Sequence, residues 1–210
     1  MDAAFHTRGR LNVLRPVLAE WAQMTKRFCL GVGEPPYWHI ERSAVGLLAT
    51  AVWRADGFAV EEYNARRSRG PRTTQGHCDL RVRMNDSTVF MMEAKHQWIA
   101  WKPSQRRWSP LKSHKGMGDA ITDRLREAED VLRITDAASG VVRVALVFVP
   151  CFLRPSDATE AADHLREFVD LLDIEHRDIG AWVLPDGNFN RIGFENNYYP
   201  GTALVGCTVE

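Results

Sequence analysis

The run Val141–Val149 (VVRVALVFV) narrows the folds open to this chain more than any other feature, because it is apolar along almost its whole length. Such a run is typical of a strand that is buried on both faces. A sheet that contains such a strand needs a layer of helices on each face to exclude water. The run therefore predicts an α/β protein in which helices enclose a central sheet.

The spacing of apolar residues along the rest of the chain predicts the helices of those layers and the other strands of the sheet. Apolar residues at helical spacing predict helices over residues 11–28, about 37–54 and about 119–135, and the capping-box pair Asp157 and Glu160 predicts another that runs to about Asp173. Alternating or apolar stretches predict strands over residues 58–63, 79–84, 88–94, 181–184 and 203–209. Residues 66–76 are predicted as a loop and residues 98–118 as an irregular segment. The order of elements favours a mixed central sheet over a purely parallel one.

A length of 210 residues fits a single domain, 1–210. Residues 1–36 are expected to form an N-terminal helical extension, and residues 152–210 to supply a helix and strands that complete the sheet. No stretch approaches the roughly 20 apolar residues of a membrane-spanning helix, and the N-terminus lacks the apolar core of a secretory signal. These features predict a cytoplasmic protein without a membrane partner.

The charges of the chain are balanced overall but unevenly distributed. Lys and Arg number 27, as do Asp and Glu, yet residues 65–118 hold twelve basic and three acidic side chains, a net charge of +9. One strongly basic quarter in a neutral protein indicates a positive surface that faces a polyanion. A solvated basic loop beside an acidic neighbour explains the same pattern equally well.

The segment His77–Lys95 (HCDLRVRMNDSTVFMMEAK) carries the residues of chemical interest. A hairpin closed by residues 85–87 places the apolar residues of both strands on one face. This fixes the register, because a slip of one residue would bring Glu93 to that face. In this register Asp79 lies directly opposite Glu93, with Cβ atoms about 4.5–5.5 Å apart. Lys95, two residues beyond Glu93, points to the same face.

Two opposed carboxylates repel each other and weaken a sheet unless something compensates. A hard divalent cation does so, since Mg²⁺ takes one or two carboxylates and completes its coordination with water and phosphate oxygens. The Lys95 ammonium beside such an ion can position a water or stabilise negative charge at phosphorus, and Arg81 can contact a phosphate. Alternatively, Lys95 and Arg81 simply neutralise Asp79 and Glu93 as a surface charge cluster.

Asp79 on one strand and Glu93-Ala94-Lys95 on the next follow a helix and a strand, and precede a helix and a buried strand. This arrangement resembles the PD-(D/E)xK nuclease superfamily of restriction endonucleases, resolvases and recombination exonucleases. The resemblance implies a restriction endonuclease-like core, α-β-β-β-α-β, over residues 37–151. It implies that Asp79 and Glu93 bind Mg²⁺ or Mn²⁺, that the backbone carbonyl of Ala94 adds a ligand, and that Lys95 assists the attacking water. Cys78 stands where the family has a proline before the Asp.

Some members of the superfamily carry an additional glutamate on the helix before the sheet, and Glu41 is the candidate here. As a catalytic and metal-binding residue it would lie at the edge of the core. As a first-turn glutamate it would interact only with the helix dipole. Glu62 is a further candidate ligand, or else a polar residue at a strand end.

Two basic segments bracket the expected metal site, and their lysines and arginines are expected to neutralise phosphates. Aromatic residues of the second segment can stack on unpaired bases. At least one tryptophan, Trp98 by preference, is expected to anchor that segment in the core. His77 is expected to be a loop histidine without a special role. The expected nucleic-acid contacts are Arg66, Arg67, Arg69, Arg72, Arg81, Lys102, Arg106, Arg107, Lys112 and Lys115.

These features favour a Mg²⁺-dependent DNA endonuclease that hydrolyses phosphodiester bonds in restriction, defence, mobile-element processing or repair. DNA is the expected partner, with RNA left open, and a homodimer is a further option because many duplex cutters work as pairs. Two other hypotheses stay open at this point. One is a catalytically silent nuclease-like fold that binds nucleic acid or a protein, and the other is a structural or immunity protein in which the charges merely pair.

Overall fold

The computed structural model describes residues 3–111, 115–157, 165–172, 177–185 and 197–210. Its helices are α1 (Arg15–Val32), α2 (Glu41–Arg54), α3 (Met117–Arg133) and α4 (Leu165–Leu171), with short 3-10 turns at Gly9–Leu14, Pro36–Trp38, Pro103–Gln105 and Pro155–Asp157. Its strands are β1 (Ala3–Thr7), β2 (Phe58–Arg69), β3 (Arg72–Arg83), β4 (Val89–His96), β5 (Ile99–Lys102), β6 (Arg107–Pro110), β7 (Val142–Leu153), β8 (Ile179–Val183) and β9 (Tyr198–Val209).

The strands form one mixed sheet in the order β1-β8-β9-β7-β4-β3-β2, and the β5–β6 pair joins it through β7. β7 runs parallel to β4 and to β5, whereas the other pairs are antiparallel. The predicted α/β class, with a mixed sheet flanked by helices, is confirmed. Within the described ranges, none of the helices has the length and apolar character needed to cross a bilayer.

The central strand β7 separates two apolar cores. Its residues alternate between the faces of the sheet, as every strand does, so Leu146 and Phe148 join the core beneath α1 and α2. Val147 and Val149 join the core beneath α3 and α4 on the opposite face. The apolar run in the sequence is explained by this burial on both sides.

Residues 1–36 are not the purely helical extension that their sequence predicts. β1 pairs antiparallel with β8 at one edge of the sheet, and α1 packs into the same core as α2 through Leu18 and Trp21. A partly buried strand of five residues is too short to show a recognisable apolar pattern. Residues 152–210 extend the sheet through β8 and β9 as expected, and residues 158–164 of the predicted helix lie outside the described residues.

Both segments predicted to lack regular structure form β-hairpins. Residues 65–76, here called the hairpin arm, are the paired ends of β2 and β3, which stay in register up to Arg69 and Arg72. β5 and β6 pair across a 3-10 turn within residues 98–118. The arm has few buried side chains, so it lacks the apolar alternation by which a strand is recognised in a sequence.

The hairpin arm is anchored by its backbone to the segment that follows α3. The Ser68 N–H donates to the Ile134 carbonyl oxygen at 2.7 Å, and the Asp136 N–H donates to the Arg66 carbonyl oxygen at 2.8 Å. These hydrogen bonds satisfy edge groups that a lone ribbon would leave to water. The arm is therefore a fixed part of the sheet rather than a free loop.

Gly206 of β9 lies where a side chain has no room. A Cβ atom there would lie 2.6 Å from the Ala145 carbonyl oxygen and 2.7 Å from Ile179 Cγ2. We expect Gly206→Ala to lower the free energy of unfolding by about 1–3 kcal/mol in urea denaturation, because overpacking forces neighbouring groups apart. Gly118→Ala in α3, where the Cβ position is open, is the control and should be neutral or stabilise by up to about 1 kcal/mol. An unchanged unfolding midpoint for Gly206→Ala would contradict the packing around β9.

Candidate metal centre

The β3–β4 hairpin has the register that its apolar pattern predicts. Leu80 pairs with Met92 and Val82 pairs with Phe90, and all four side chains are buried. Ser87 closes the three-residue turn with a φ of 68°, a left-handed conformation that is common in hairpin loops of this length. This register directs Asp79 and Glu93 to the end of the hairpin that lies away from the turn.

Asp79 does not pair with Glu93, because the ladder between β3 and β4 ends at Leu80 and Met92. Instead, the Ala94 N–H donates to Asp79 Oδ2 at 2.7 Å. The Asp79 side chain thus takes the place of a backbone acceptor and ties the end of β3 to β4. The predicted register holds as far as Leu80 and Met92; beyond it, Asp79 contacts β4 through this hydrogen bond rather than through ladder pairing with Glu93.

Glu93 is buried on β4, with 5% of its surface exposed. Its Oε1 accepts a hydrogen bond from Lys95 Nζ at 2.8 Å, and Lys95 also donates to the Ala94 carbonyl oxygen at 2.8 Å. Burial raises the pKa of Glu93; the hydrogen bond from Lys95 opposes this shift, and the charge of Asp79 adds to it. Oε2 of Glu93 is buried and accepts no hydrogen bond from the described residues.

Lys95 carries a positive charge in this site. Burial acts to lower its pKa, but the hydrogen bond to Glu93 and the negative charges of Glu93, Glu41 and Asp79 outweigh that effect, so the pKa of Lys95 is raised above its usual value. A protonated amine donates hydrogen bonds and stabilises negative charge, but it cannot accept a proton. Lys95 is therefore suited to electrostatic work rather than to that of a general base.

Glu41 is the first residue of α2, and it lies within electrostatic reach of the other charged groups, as the resemblance implies. Its carboxylate accepts a hydrogen bond from the backbone N–H of His96. Burial raises the pKa of Glu41; Lys95 opposes this shift, and Asp79 and Glu93 add to it. Its place in the first turn also suits the helix dipole, so both of the roles weighed for this residue are compatible with its position.

The donor set suits a hard divalent cation. Asp79 and Glu93 offer carboxylate oxygens, and the buried Glu93 Oε2 has no hydrogen-bond partner among the residues described. Mg²⁺ needs only one or two carboxylates because it keeps several waters. In the described part of the chain, no three His, Cys, Asp or Glu side chains form a group that could hold one ion, so Glu41 is not grouped with the other two. The Ala94 carbonyl, implied as a ligand, faces the Lys95 ammonium.

Arg67 reaches this cluster from the hairpin arm. Its Nη2 lies 3.8 Å from Glu93 Oε2 and donates a hydrogen bond to the His77 carbonyl oxygen. Gly76 on β3 leaves the space that the arginine crosses, because a Cβ atom there would lie 2.7 Å from Arg67 Cδ. The sequence predicts a loop over residues 66–76, which includes Arg67. A glycine inside a strand, which often marks a close approach, was the one signal of this crossing.

Several other expected phosphate contacts lie on exposed surfaces. On the hairpin arm these are Arg66, Arg69 and Arg72, and on the β5–β6 hairpin they are Arg106 and Arg107. Lys102 is half-buried and lines a cavity of about 710 Å³ next to β5. These positions are compatible with phosphate binding, and they stay predictions.

Arg107 Nε donates to Gln105 Oε1 at 2.8 Å, and two further expected phosphate contacts also have protein partners. Lys115 forms an ion pair with Asp123 at 2.5 Å, and the Arg81 guanidinium carbon lies 4.6 Å from the centre of the Tyr63 ring. A cation over an aromatic face is held by the ring quadrupole, which gives Arg81 a structural role at this strand. Lys112 lies outside the described residues.

The tryptophans of β5 and β6 are core residues rather than platforms for bases. Trp101 and Trp108 are 4% and 3% exposed, and their ring centroids lie 5.4 Å apart in an edge-to-face arrangement. Trp98 is half-buried against Phe152 and Tyr199. The expectation that a tryptophan anchors this segment is confirmed, and the two buried rings are not available for stacking on a base.

Glu62 and the histidines lie at the margins of the cluster. Glu62 is exposed and pairs with Arg42 at 3.3 Å, and its left-handed φ of 51° interrupts the β2–β3 ladder opposite Asp79. The His77 ring nitrogen Nδ1 lies 3.3 Å from the Glu62 carbonyl oxygen. Burial lowers the pKa of His96 to about 4, so this imidazole is neutral. The surface ion pair accounts for Glu62 without a metal.

Comparison with protein-family models, with curated proteins and with solved structures finds no significant match to this chain. The likeness to PD-(D/E)xK nucleases therefore rests on the residues of the site and on the order of the elements around it.

Two substitutions at Asp79 separate its structural contact from its charge. Asp79→Ala removes the acceptor of the Ala94 N–H, so we expect the free energy of unfolding in EDTA to fall by about 1–3 kcal/mol in urea denaturation. Asp79→Asn keeps an oxygen acceptor and should stay within about 0.5 kcal/mol of the wild type. If relief of carboxylate repulsion dominated instead, the alanine variant would be the more stable of the two.

Proposed function

We propose that this protein is a Mg²⁺- or Mn²⁺-dependent nuclease of the PD-(D/E)xK type that hydrolyses phosphodiester bonds in DNA. The observation that carries the proposal is the Glu93 carboxylate. It is buried, one of its oxygens is held by the Lys95 ammonium, and the other has no hydrogen-bond partner among the described residues. Asp79 and Glu41 lie within electrostatic reach of it. Oxygen ligands, a cation and an unused acceptor are what a hydrolytic Mg²⁺ site needs.

Each residue has a role in the proposed reaction. Asp79 and Glu93 would hold the ion, with the Ala94 carbonyl as a further ligand, and Glu41 would orient groups from the helix end. The bound ion would supply a Lewis acid and lower the pKa of a coordinated water. Lys95, protonated as its raised pKa requires, would donate a hydrogen bond to the attacking water or to the phosphate oxygens and stabilise the negative charge that develops there.

The charge distribution supports a polyanionic substrate. Residues 65–118 carry a net charge of +9, and several of their described arginines are exposed on the hairpin arm and on the β5–β6 hairpin. The exposed arginines of the hairpin arm and of the β5–β6 hairpin can neutralise phosphates on either side of the scissile bond. DNA is the proposed substrate, and RNA is a direct competitor to include in every assay.

A cleavage assay tests the proposal. Supercoiled plasmid, linear duplex, single-stranded DNA and RNA are incubated with the protein in Mg²⁺, in Mn²⁺ and in EDTA. We expect metal-dependent cleavage that Glu93→Gln and Lys95→Met reduce by at least about 100-fold, since each removes a charged group from the reacting centre. Glu127→Gln, an exposed carboxylate on α3, is the matched control and should cut at the wild-type rate.

The outcomes separate the alternatives. Salt-sensitive nucleic-acid binding without cleavage by the folded wild type would favour the catalytically silent nuclease-like fold. Absence of both binding and cleavage would leave a protein in which the charges merely pair. Cleavage that persists in Glu93→Gln and Lys95→Met at the wild-type level would place the activity elsewhere and contradict the proposed site.

The β5–β6 hairpin gives a separate test of the binding surface. Arg106→Ala combined with Arg107→Ala should weaken duplex binding and reduce the slope of log K against log salt by about two, because each lost phosphate contact removes about 0.9 from that slope. Fluorescence anisotropy with a labelled duplex in EDTA measures this. Arg10→Ala combined with Arg27→Ala, both exposed near α1, removes the same charge elsewhere and should leave the slope unchanged. An equal change in both double variants would show that only net charge matters.

A further inference from the structure

Arg67 is held in a fixed position although most of its neighbours on the hairpin arm are exposed. Its chain neighbours are anchored on both sides, through the Arg66 carbonyl and the Ser68 N–H, to the segment after α3. Arg67 itself forms a bridge with Thr135 in that segment. The side chain is 28% exposed, far less than a solvated arginine on a ribbon would be. These backbone contacts therefore hold Arg67 so that its guanidinium lies on the side of the arm that faces Glu93.

Gly76 leaves the space that the Arg67 side chain occupies. Arg67 crosses β3 at Gly76, where a Cβ atom would lie 2.7 Å from both Cδ and Nε of the arginine and 3.1 Å from its Cζ. Any other residue at position 76 would push the guanidinium away. The atoms that would be displaced belong to a flexible side chain and not to the backbone, so a larger residue would displace Arg67 and leave β3 paired.

The guanidinium and the Glu93 carboxylate face each other without completing a hydrogen bond. Arg67 Nη2 and Glu93 Oε2 are 3.8 Å apart, which is beyond hydrogen-bond range. Glu93 Oε2 and Arg67 Nε are both buried, and neither has a hydrogen-bond partner among the described residues. Buried polar atoms are nearly always bonded, so the open Glu93 oxygen, with the Arg67 guanidinium 3.8 Å away, is a place where a bound ligand would complete the hydrogen bonding.

An anion bound together with a cation satisfies both atoms. A metal ion at Glu93 would use the free carboxylate oxygen, and a phosphate oxygen next to that ion would accept from the guanidinium. Arginine suits this task because its planar fork binds phosphate oxygens through charge-assisted hydrogen bonds. A direct Arg67–Glu93 pair, in contrast, would already be closed to hydrogen-bonding distance if pairing were its only purpose.

We propose that Arg67 is the phosphate-binding group of the metal centre and that Gly76 is the opening through which its side chain reaches the site, an inference that rests on the proposed nuclease function. Arg67 is thus distinct from the exposed arginines of the arm: it contacts the phosphate at the metal, whereas they contact the flanking backbone. Metal and phosphate then bind cooperatively, because each satisfies a group that the other leaves unpaired.

Binding of Mn²⁺ with and without inorganic phosphate tests this without any cleavage assay. Free Mn²⁺ is measured by electron paramagnetic resonance in titrations of the 210-residue chain. We expect phosphate to tighten Mn²⁺ binding by the wild type by about tenfold, the size of one charge-assisted contact. Arg67→Met should lose this enhancement while still binding Mn²⁺ alone, with affinity equal to or higher than that of the wild type. Arg83→Met, at an exposed arginine of β3, removes the same charge and should keep the enhancement.

Gly76→Ala provides an independent variant that leaves Arg67 in the sequence. It should lose the phosphate enhancement to the same extent as Arg67→Met, and the double variant should be no worse than either single one, because both changes remove a single interaction. Thermal melts of all variants show whether the arm stays folded. Losses that add in the double variant would overturn the role given to Gly76.

The outcomes for this inference and for the proposed function are distinct. If Mn²⁺ binds and phosphate enhances it equally in Arg67→Met and the wild type, the inference is overturned while the metal centre stands. An equal loss in Arg83→Met and Arg67→Met would overturn it as well, because general charge would then be the cause. If the folded wild type binds no Mn²⁺, the proposed metal centre fails, and the phosphate site fails with it.

Discussion

The buried carboxylate of Glu93 governs the local structure around it. A charge in the interior of a sheet opposes folding unless hydrogen bonds and opposite charges offset its lost hydration. Lys95, two residues further along β4, supplies the hydrogen bond at 2.8 Å, and Arg67 supplies a second positive charge at 3.8 Å. The two cations come from different elements, Lys95 from β4 and Arg67 from the hairpin arm, so the charge balance at this end of β4 links the two elements.

The contact between Arg67 and Glu93 helps to explain two unusual backbone features of the strands that form the arm. Gly76 clears the path of Arg67, and the left-handed backbone at Glu62 breaks the β2–β3 ladder just before the arm begins. A non-glycine residue at positive φ carries conformational strain. The hydrogen bonds between the arm and residues 134–136 offset that strain and fix the arm in place. The arm, which the sequence presents as a loop of arginines, is a structural part of the charged site.

The parts of the fold that the sequence predicts depend on side-chain patterns within one segment, whereas the parts that it does not predict depend on pairing between distant segments. The β3–β4 register follows from alternating apolar residues on both strands, and the burial of β7 follows from its composition, because both depend on side chains that the same segment carries. The approach of Asp79, Glu93 and Lys95 at one end of the hairpin could be expected for the same reason, since the register decides it. The hairpin arm, β1 and the β5–β6 pair could not, because long-range backbone pairing forms them and their exposed or short segments carry no apolar pattern. The position of Arg67 depends on that pairing and was missed together with it.

The distribution of unsatisfied atoms favours the proposed metal site over a neutralised charge cluster. If Lys95 and Arg67 served only to pair with Glu93, folding would favour closing every hydrogen bond, since an unpaired buried polar atom costs about 1–3 kcal/mol. Glu93 Oε1 is closed in this way, but Oε2 and Arg67 Nε are left open in the described structure. The side of the cluster that faces the arm lacks hydrogen bonds from the described residues at these two atoms. There, Glu93 Oε2 could bind a cation, and the Arg67 guanidinium, 3.8 Å away, could donate to an anion. Arg67 offsets part of the charge of Glu93 at this spacing but does not complete its hydrogen bonding, so a cation bound at the open oxygen and an anion bound at the guanidinium would satisfy both groups, as the proposed function requires.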